Sequence, residues 1–255
     1  MNELTVVILT FNEEIHIRRV IENAFKVRKD VLIVDSFSTD KTVELAKELN
    51  ARVVQNKFVH QAQQFQWAMD NGGIQTSWLL RMDADEYLTD ALVEEINQRT
   101  QLLPGDVSGV IFKRRVHFMG RWMKHGGYYP VKLLRMWRTG QAQIEQRWMD
   151  EHTYLTQGNA VEFEHDLVDD NLNNLAWWTD KHNTYSTREA IEILSTIMAN
   201  RDMKDYHEID VFSKQQAARK RWYKQNVYLR MPLFLRCFLY YQFRYWIKLG
   251  FLDGK

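Results

Sequence analysis

Short apolar runs alternate with amphipathic stretches through the first part of the chain. Residues 4–10 (LTVVILT) are almost wholly apolar and β-branched, the composition of a strand buried on both faces. Asn12 then offers a helix N-cap, and Ile17, Val20, Ile21 and Ala24 follow at helical spacing. Residues 31–34 form a second apolar run that ends in Asp35 and the turn-forming Ser36-Phe37-Ser38-Thr39-Asp40. A helix continues from there to about Leu49, with Thr39 or Asp40 as its cap. Residues 51–54 read as a third strand, 61–70 as a helix and 78–80 as a fourth strand. That strand runs straight into Arg81-Met82-Asp83-Ala84-Asp85-Glu86, and Thr89 caps a further helix to about Thr100.

Strands separated by helices of this length imply crossovers and a mainly parallel sheet, an α/β fold. Ligands of such sheets bind outside the carboxyl ends of the strands. Thr10, Asp35 and Asp83 end their strands, so they are expected to meet at one crevice. Residues 109–119 and 131–138 read as strands around the loop His125-Gly126-Gly127-Tyr128-Tyr129-Pro130, and 160–163 as a last strand before His165. The pattern is helical from Asn171 onward. No repeat or linker divides the chain. We therefore expect a continuous α/β unit over 1–170, in two halves (1–100 and 101–170), and a helical extension over 171–255.

Composition changes this picture in one place. The net charge of +1 hides an asymmetry, because residues 214–255 carry ten Lys or Arg against Asp253 alone. Nine Trp, eleven Tyr and thirteen Phe suit stacking on sugars or seating at a membrane interface, and many fall in this basic segment. Pro232 suits the first turn of a helix there. A basic, aromatic, interrupted helix predicts peripheral contact with an anionic membrane rather than a span, which needs roughly 18 apolar residues. The catalytic part has no companion basic stripe, so a nucleic-acid partner is not expected. The lone Cys237 excludes an internal disulfide, which fits a reducing cytoplasm. The first residues lack the basic and cleavage regions of a signal peptide.

Asp83-Ala84-Asp85 carries the chemistry. Two carboxylates one residue apart, where a strand gives way to a loop, suit a hard divalent cation such as Mg²⁺ or Mn²⁺ that keeps positions free for phosphate oxygens. A lone Asp-x-Asp is common by chance, but an apolar strand leading directly into three acidic residues rarely serves packing alone. With Thr39 or Asp40 capping the second helix, Asp35 is expected to be free to accept hydrogen bonds from a base or ribose.

Three stretches in order resemble the signatures of family 2 glycosyltransferases of the GT-A fold. They are Thr10-Phe11-Asn12-Glu13, then Val34-Asp35-Ser36-Phe37-Ser38-Thr39-Asp40-Lys41-Thr42, then Met82-Asp83-Ala84-Asp85-Glu86. Looser likeness continues through Pro130, Leu134-Arg135-Met136-Trp137, Asp150-Glu151-His152 and the closing Lys248-Leu249-Gly250-Phe251-Leu252-Asp253-Gly254. The whole looks most like the bacterial branch that extends the lipopolysaccharide core or related surface glycans. That resemblance implies that Thr10, Asn12, Glu13 and Asp35 hold the uridine part of a UDP-sugar. It also implies that Asp83 faces ribose and metal, and that Asp85 is the principal metal ligand. Glu151, or alternatively Asp150, would be the base of an inverting displacement. His165-Asp166 could add a metal or diphosphate contact. Lys57 and the helix start at Gln61 lie where relatives touch the nucleotide, but Phe65-Gln66 replaces their Arg-Asn pair. Arg114, Arg115, Lys124 and Arg135 are candidates for phosphate or acceptor contacts.

The expected activity is transfer of a hexose from a nucleotide sugar to a lipid-anchored glycan at the cytoplasmic face of the inner membrane. A catalytically inactive membrane scaffold of the same fold is the alternative. A sugar nucleotidyltransferase fits less well, because no glycine occurs before Gly72 to build a phosphate loop after the first strand.

Overall fold

Side-chain alternation along the first strands builds two cores, one on each face of a single sheet. In β1 (Leu4–Thr10), Val6 and Ile8 face one way and Val7 the other; in β2 (Val31–Asp35), Ile33 opposes Leu32 and Val34. The first set packs beneath α1 (Ile17–Phe25), α2 (Thr42–Glu48) and α4 (Asp90–Arg99). The second packs beneath α3 (Gln61–Asn71) and a hairpin of β9 (Ala142–Ile144) and β10 (Thr153–Leu155). Each fully buried aliphatic side chain contributes roughly 1.5–3 kcal/mol relative to exposure. The computed structural model describes residues 4–28, 30–145, 151–198, 223 and 227–254.

The remaining strands are β3 (Arg52–Gln55), β4 (Trp78–Asp83), β5 (Glu86–Leu88), β6 (Val107–Phe118), β7 (Arg121–Met123), β8 (Val131–Arg138) and β11 (Asn159–Asp170). The sheet order is β3-β2-β1-β4-β8-β6-β11-β5, with β7 paired to β6. β3, β2, β1 and β4 are mutually parallel, as the βαβ pattern predicts. The sheet then becomes mixed. β8 runs antiparallel to both β4 and β6, and β5 runs antiparallel to β11, which is itself parallel to β6.

Two departures from the sequence reading matter for the site. Asn12 caps no helix, because α1 begins only at Ile17, after a turn in which the His16 and Ile17 amides donate to the Glu13 carbonyl. The last strand also runs well past residue 163 and carries His165 within it. The helical extension holds α5 (Leu175–Met198) and α6 (Leu233–Gln242), the latter directly after Pro232. No helix among the described residues is long and apolar enough to cross a membrane.

Candidate active site at the carboxyl edge of the sheet

Register brings the three strand ends together. Thr10 lies opposite Asp35 on β2, and its neighbour Leu9 lies opposite Asp83 on β4. Adjacent strands are about 4.8 Å apart, so the loops after β1, β2 and β4 share one edge.

The first two loops are laced to each other. The Asn12 amide donates to Ser38 Oγ (2.9 Å), and Asn12 Oδ1 accepts from the Thr39 amide (2.8 Å). The Glu13 amide donates to Thr42 Oγ1 at 2.8 Å. Asn12 sits at φ 55, a left-handed conformation that Asn tolerates. Phe37, at φ 61, is a bulky side chain in the same region and is held there by its neighbours. Asp40 caps the entry to α2, accepting from the Thr42 amide at 2.9 Å.

Asp35 is not the free acceptor expected. It is fully buried, and it accepts from Thr10 Oγ1 (3.1 Å), the Ser38 amide (2.9 Å), Ser38 Oγ (2.5 Å) and Gln55 Nε2 (3.0 Å). Those bonds fill the acceptor capacity of a carboxylate. Asp35 therefore shapes the loop. Gln64, also buried, ties the next loop in by donating to Ser36 Oγ and to the Asn56 carbonyl. Phe65 is core and Gln66 pairs with Asp70, so the start of α3 offers no cation toward the crevice.

Glu13 extends the linkage to the far strand. Its carboxylate meets the buried His16 Nδ1 at 2.6 Å, and His16 Nε2 accepts from the Leu172 amide at 2.9 Å. Nε2 is thus the acceptor, and Nδ1 carries the proton that Glu13 receives.

The Asp83–Asp85 turn is built on charge. Strand alternation puts Arg81 on the face of Leu79, where its guanidinium lies over the Phe65 ring at 5.1 Å. Arg81 Nη2 donates to Glu151 Oε1 (3.0 Å), and its Nε stands 3.8 Å from Asp83 Oδ1. Arg135 donates to Asp83 Oδ2 (3.0 Å) and to Glu86 Oε1 (2.5 Å). It reaches them because of a bulge: Val110 pairs with Met136 but Ile111 pairs with Leu134, which leaves Arg135 as the extra residue. Burial alone would raise the Asp83 carboxyl, but the Arg135 and Arg81 guanidiniums outweigh it and hold the group well below the usual carboxylate range. Burial pushes Glu86 upward against Arg135, with the Asp83 charge adding to the push. Glu86 in turn accepts from the Asp83 amide at 2.9 Å.

Asp85 is fixed through its backbone. Its carbonyl accepts from Arg19 Nη2 (3.1 Å) and the Asp170 amide (3.0 Å), while Oδ2 accepts from Asn171 Nδ2 (2.9 Å). Asp169 lies opposite Glu86 on β5, 3.4 Å from Arg114. Burial, then the Asp85 charge, push Asp169 up to about 6. Asp83, Asp85, Glu86 and Asp169 thus crowd four carboxyl groups around one turn, balanced in part by Arg135 and Arg114. Among the described residues no three His, Cys, Asp or Glu side chains are grouped to hold a metal unaided. Asp83 and Asp85 carry carboxylate oxygens of the hard kind that Mg²⁺ or Mn²⁺ takes; a cation held there would need phosphate and water oxygens to complete its shell.

Of the residues read from the sequence, Thr10, Asn12, Glu13, Asp35, Asp83, Asp85 and Glu151 gather at this edge. His165 does not. It lies within β11, four residues or about 13 Å before Asp169, and its Nδ1 meets Glu95 of α4 at 2.8 Å. Its neighbour Asp166 is taken by Arg115 Nε (2.6 Å) and the Tyr129 hydroxyl (3.1 Å). Asp150 lies outside the described residues. Sequence reasoning missed Arg81, Glu86, Asp169 and Asn171. Arg81, a charge inside an otherwise apolar strand, was the available signal.

A profile of the group described as "Glycosyl transferase family 2" matches residues 5–166. The chain belongs to that family. An uncharacterized glycosyltransferase of Rickettsia typhi is 32% identical over 141 residues, covering 55% of this chain and 41% of that protein. The chain thus spans about two fifths of the length of this curated relative. Among solved structures, this family 2 glycosyltransferase resembles S. aureus TarS 1-349 in complex with UDP-GlcNAc. The TM-score is 0.53 at 13% identity, over 91% of this chain and 76% of that one, a likeness of fold. A Pyrobaculum calidifontis mannosyltransferase in complex with GDP-Man and Mn²⁺ matches over 44% of this chain and 36% of that one, at 21% identity and a TM-score of 0.39.

Proposed function

We propose that this family 2 glycosyltransferase moves a hexose, with inversion, from a UDP-sugar to the lipopolysaccharide core or another lipid-anchored bacterial glycan. The observation that carries the donor half of this reading is the register of Thr10, Asp35 and Asp83, which sets three polar strand ends and Asp85 around one crevice. The loop residues Asn12 and Glu13, fixed by the lacing around Asp35, line the nucleotide side. Asp83 and Asp85 hold the divalent cation, Mg²⁺ or Mn²⁺, which when bound neutralises charge on the departing diphosphate. Glu151 is the base. As the acceptor oxygen bonds to the anomeric carbon, its proton passes to the Glu151 carboxylate, and the bond to the β-phosphate oxygen breaks on the opposite face.

The basic segment supports contact with an anionic membrane. Phe234 is 88% exposed and Ile247 70%, interleaved with Arg236, Arg244 and Lys248. Apolar faces in this setting seat at a bilayer interface while the basic groups meet anionic headgroups. The enzyme would then work at the cytoplasmic face of the inner membrane, where a lipid-anchored acceptor is within reach.

Release of UDP from UDP-glucose, UDP-galactose and UDP-N-acetylglucosamine, with and without Mn²⁺, tests the catalytic reading. Metal-dependent release that falls by about 100-fold or more in Glu151→Gln is expected. Equal release without metal, or from the Glu151 variant, would sink the corresponding assignment.

A further inference from the structure

Arg81 is a costly residue for its place. It sits in β4 among Leu79, Leu80 and Met82, is 6% exposed, and has its Nε buried with no hydrogen-bond partner. A leucine would fill the same face beside Phe65 without carrying a charge out of water, which costs several kcal/mol unless compensated. The compensation is specific. One end of the guanidinium is 3.0 Å from Glu151 Oε1, while Nε is 3.8 Å from Asp83 Oδ1, an ion pair too long for a hydrogen bond. Arg81 therefore spans from the donor-side turn to the loop between β9 and β10, which carries Glu151. Its plane is set by Phe65 beneath it, so the fork cannot swing freely.

We infer that Arg81 is the positioning residue of this glycosyltransferase, holding Glu151 by Oε1 so that the other carboxylate oxygen meets the acceptor proton, and tying that alignment to the donor-side Asp83. The inference rests on Glu151 as the base. Asp83 has a second, independent partner in Arg135, so the donor turn keeps a guanidinium when Arg81 is changed. Glu151, reached by Arg81 from the sheet, loses its anchor. Removing Arg81 should therefore damage turnover more than donor binding.

The test is a double-mutant cycle on Arg81→Gln and Glu151→Gln. It measures UDP release from the same three UDP-sugars with Mn²⁺, together with calorimetric binding of UDP and Mn²⁺ and the thermal midpoint. Arg81→Gln should lower kcat about 30-fold or more, with KM and UDP affinity within about 3-fold of the parent. In the Glu151→Gln background the same change should cost less than about 3-fold, because the group it positions is already gone. Arg81→Lys keeps the charge but not the fork, and should recover part of kcat; it also serves as the probe if Arg81→Gln melts early. Additive losses in the cycle would overturn the inference, as would an Arg81→Lys enzyme that folds and turns over like the parent. Additive losses with UDP binding intact remove this inference alone. A parent protein that binds no UDP removes the donor reading along with it.

Discussion

The carboxyl edge of the parallel half and the C-terminal segment treat their side chains in opposite ways. At the edge, buried carboxylates meet donors: Asp35 alone accepts from Thr10, Gln55 and twice from Ser38, and Arg135 serves both Asp83 and Glu86. In the segment from Tyr228 to Gly254, large apolar groups such as Phe234, Phe238 and Trp246 stand exposed among cations. One region spends its residues on a fixed arrangement before any ligand arrives, which lowers the cost of organising the site during reaction. In the proposed membrane contact, the other's exposed apolar area would meet a surface outside the chain. Mutations at the edge are expected to damage folding and chemistry, and mutations at the tail the proposed attachment.

Three changes would break or sharpen that contrast. The largest effect is expected from Arg135→Leu, which leaves the buried Glu86 without its guanidinium and Asp83 with the longer Arg81 contact alone, and should destabilise the fold by about 3–5 kcal/mol in urea unfolding. A loss no bigger than that of a surface substitution would mean the edge is not held by this charge network.

Asp169→Asn should act in the other direction. The native carboxyl titrates at about 6 against an ordinary 3.8. The folded state therefore binds the extra proton between those values, and this group's contribution to stability falls as pH rises through that window. The Asn variant should be more stable than the parent by roughly 1–2 kcal/mol at pH 7, with the gap closing toward pH 4. Thermal midpoints across pH 4–8 would show it, and a constant gap would refute the assignment.

The smallest effect on folding is expected at the tail. Phe234→Asp with Ile247→Asp should change stability by less than about 0.5 kcal/mol each. The same pair should weaken co-sedimentation with anionic phosphatidylglycerol vesicles by about 10-fold. Equal loss of stability and vesicle binding would indicate that these side chains pack against the protein instead.

How much of this was legible in the sequence follows the same division. Buried parallel strands write themselves as apolar runs, so β1, β2 and β4 and the helices between them could be read, and with them the convergence of Thr10, Asp35 and Asp83. Long-range pairing could not. Nothing local in Asp35 reveals that Gln55 on the neighbouring strand occupies its carboxylate. Asn12 has the composition of a cap, yet it spends its side chain on Thr39 because the helix starts only after the turn at Glu13. β11 looked short because Glu162, Glu164, His165 and Asp166 interrupt its apolar pattern. These polar positions coincide with a register irregularity between Glu162 and Asp166 and with partners such as Glu95 and Arg115. Arg135 stood among the candidates, but the bulge that aims it at Asp83 is a property of two strands, not one.

In the proposed mechanism the acidic turn holds a metal and with it the donor nucleotide. Calorimetric titration of UDP into the full chain, with Mn²⁺ and then with the metal removed by chelation, tests it most directly when run beside Asp85→Ala. Saturable binding with Mn²⁺ that weakens at least about 10-fold on chelation is expected, with a comparable loss in Asp85→Ala with metal present. UDP binding of equal strength in all three conditions would contradict it.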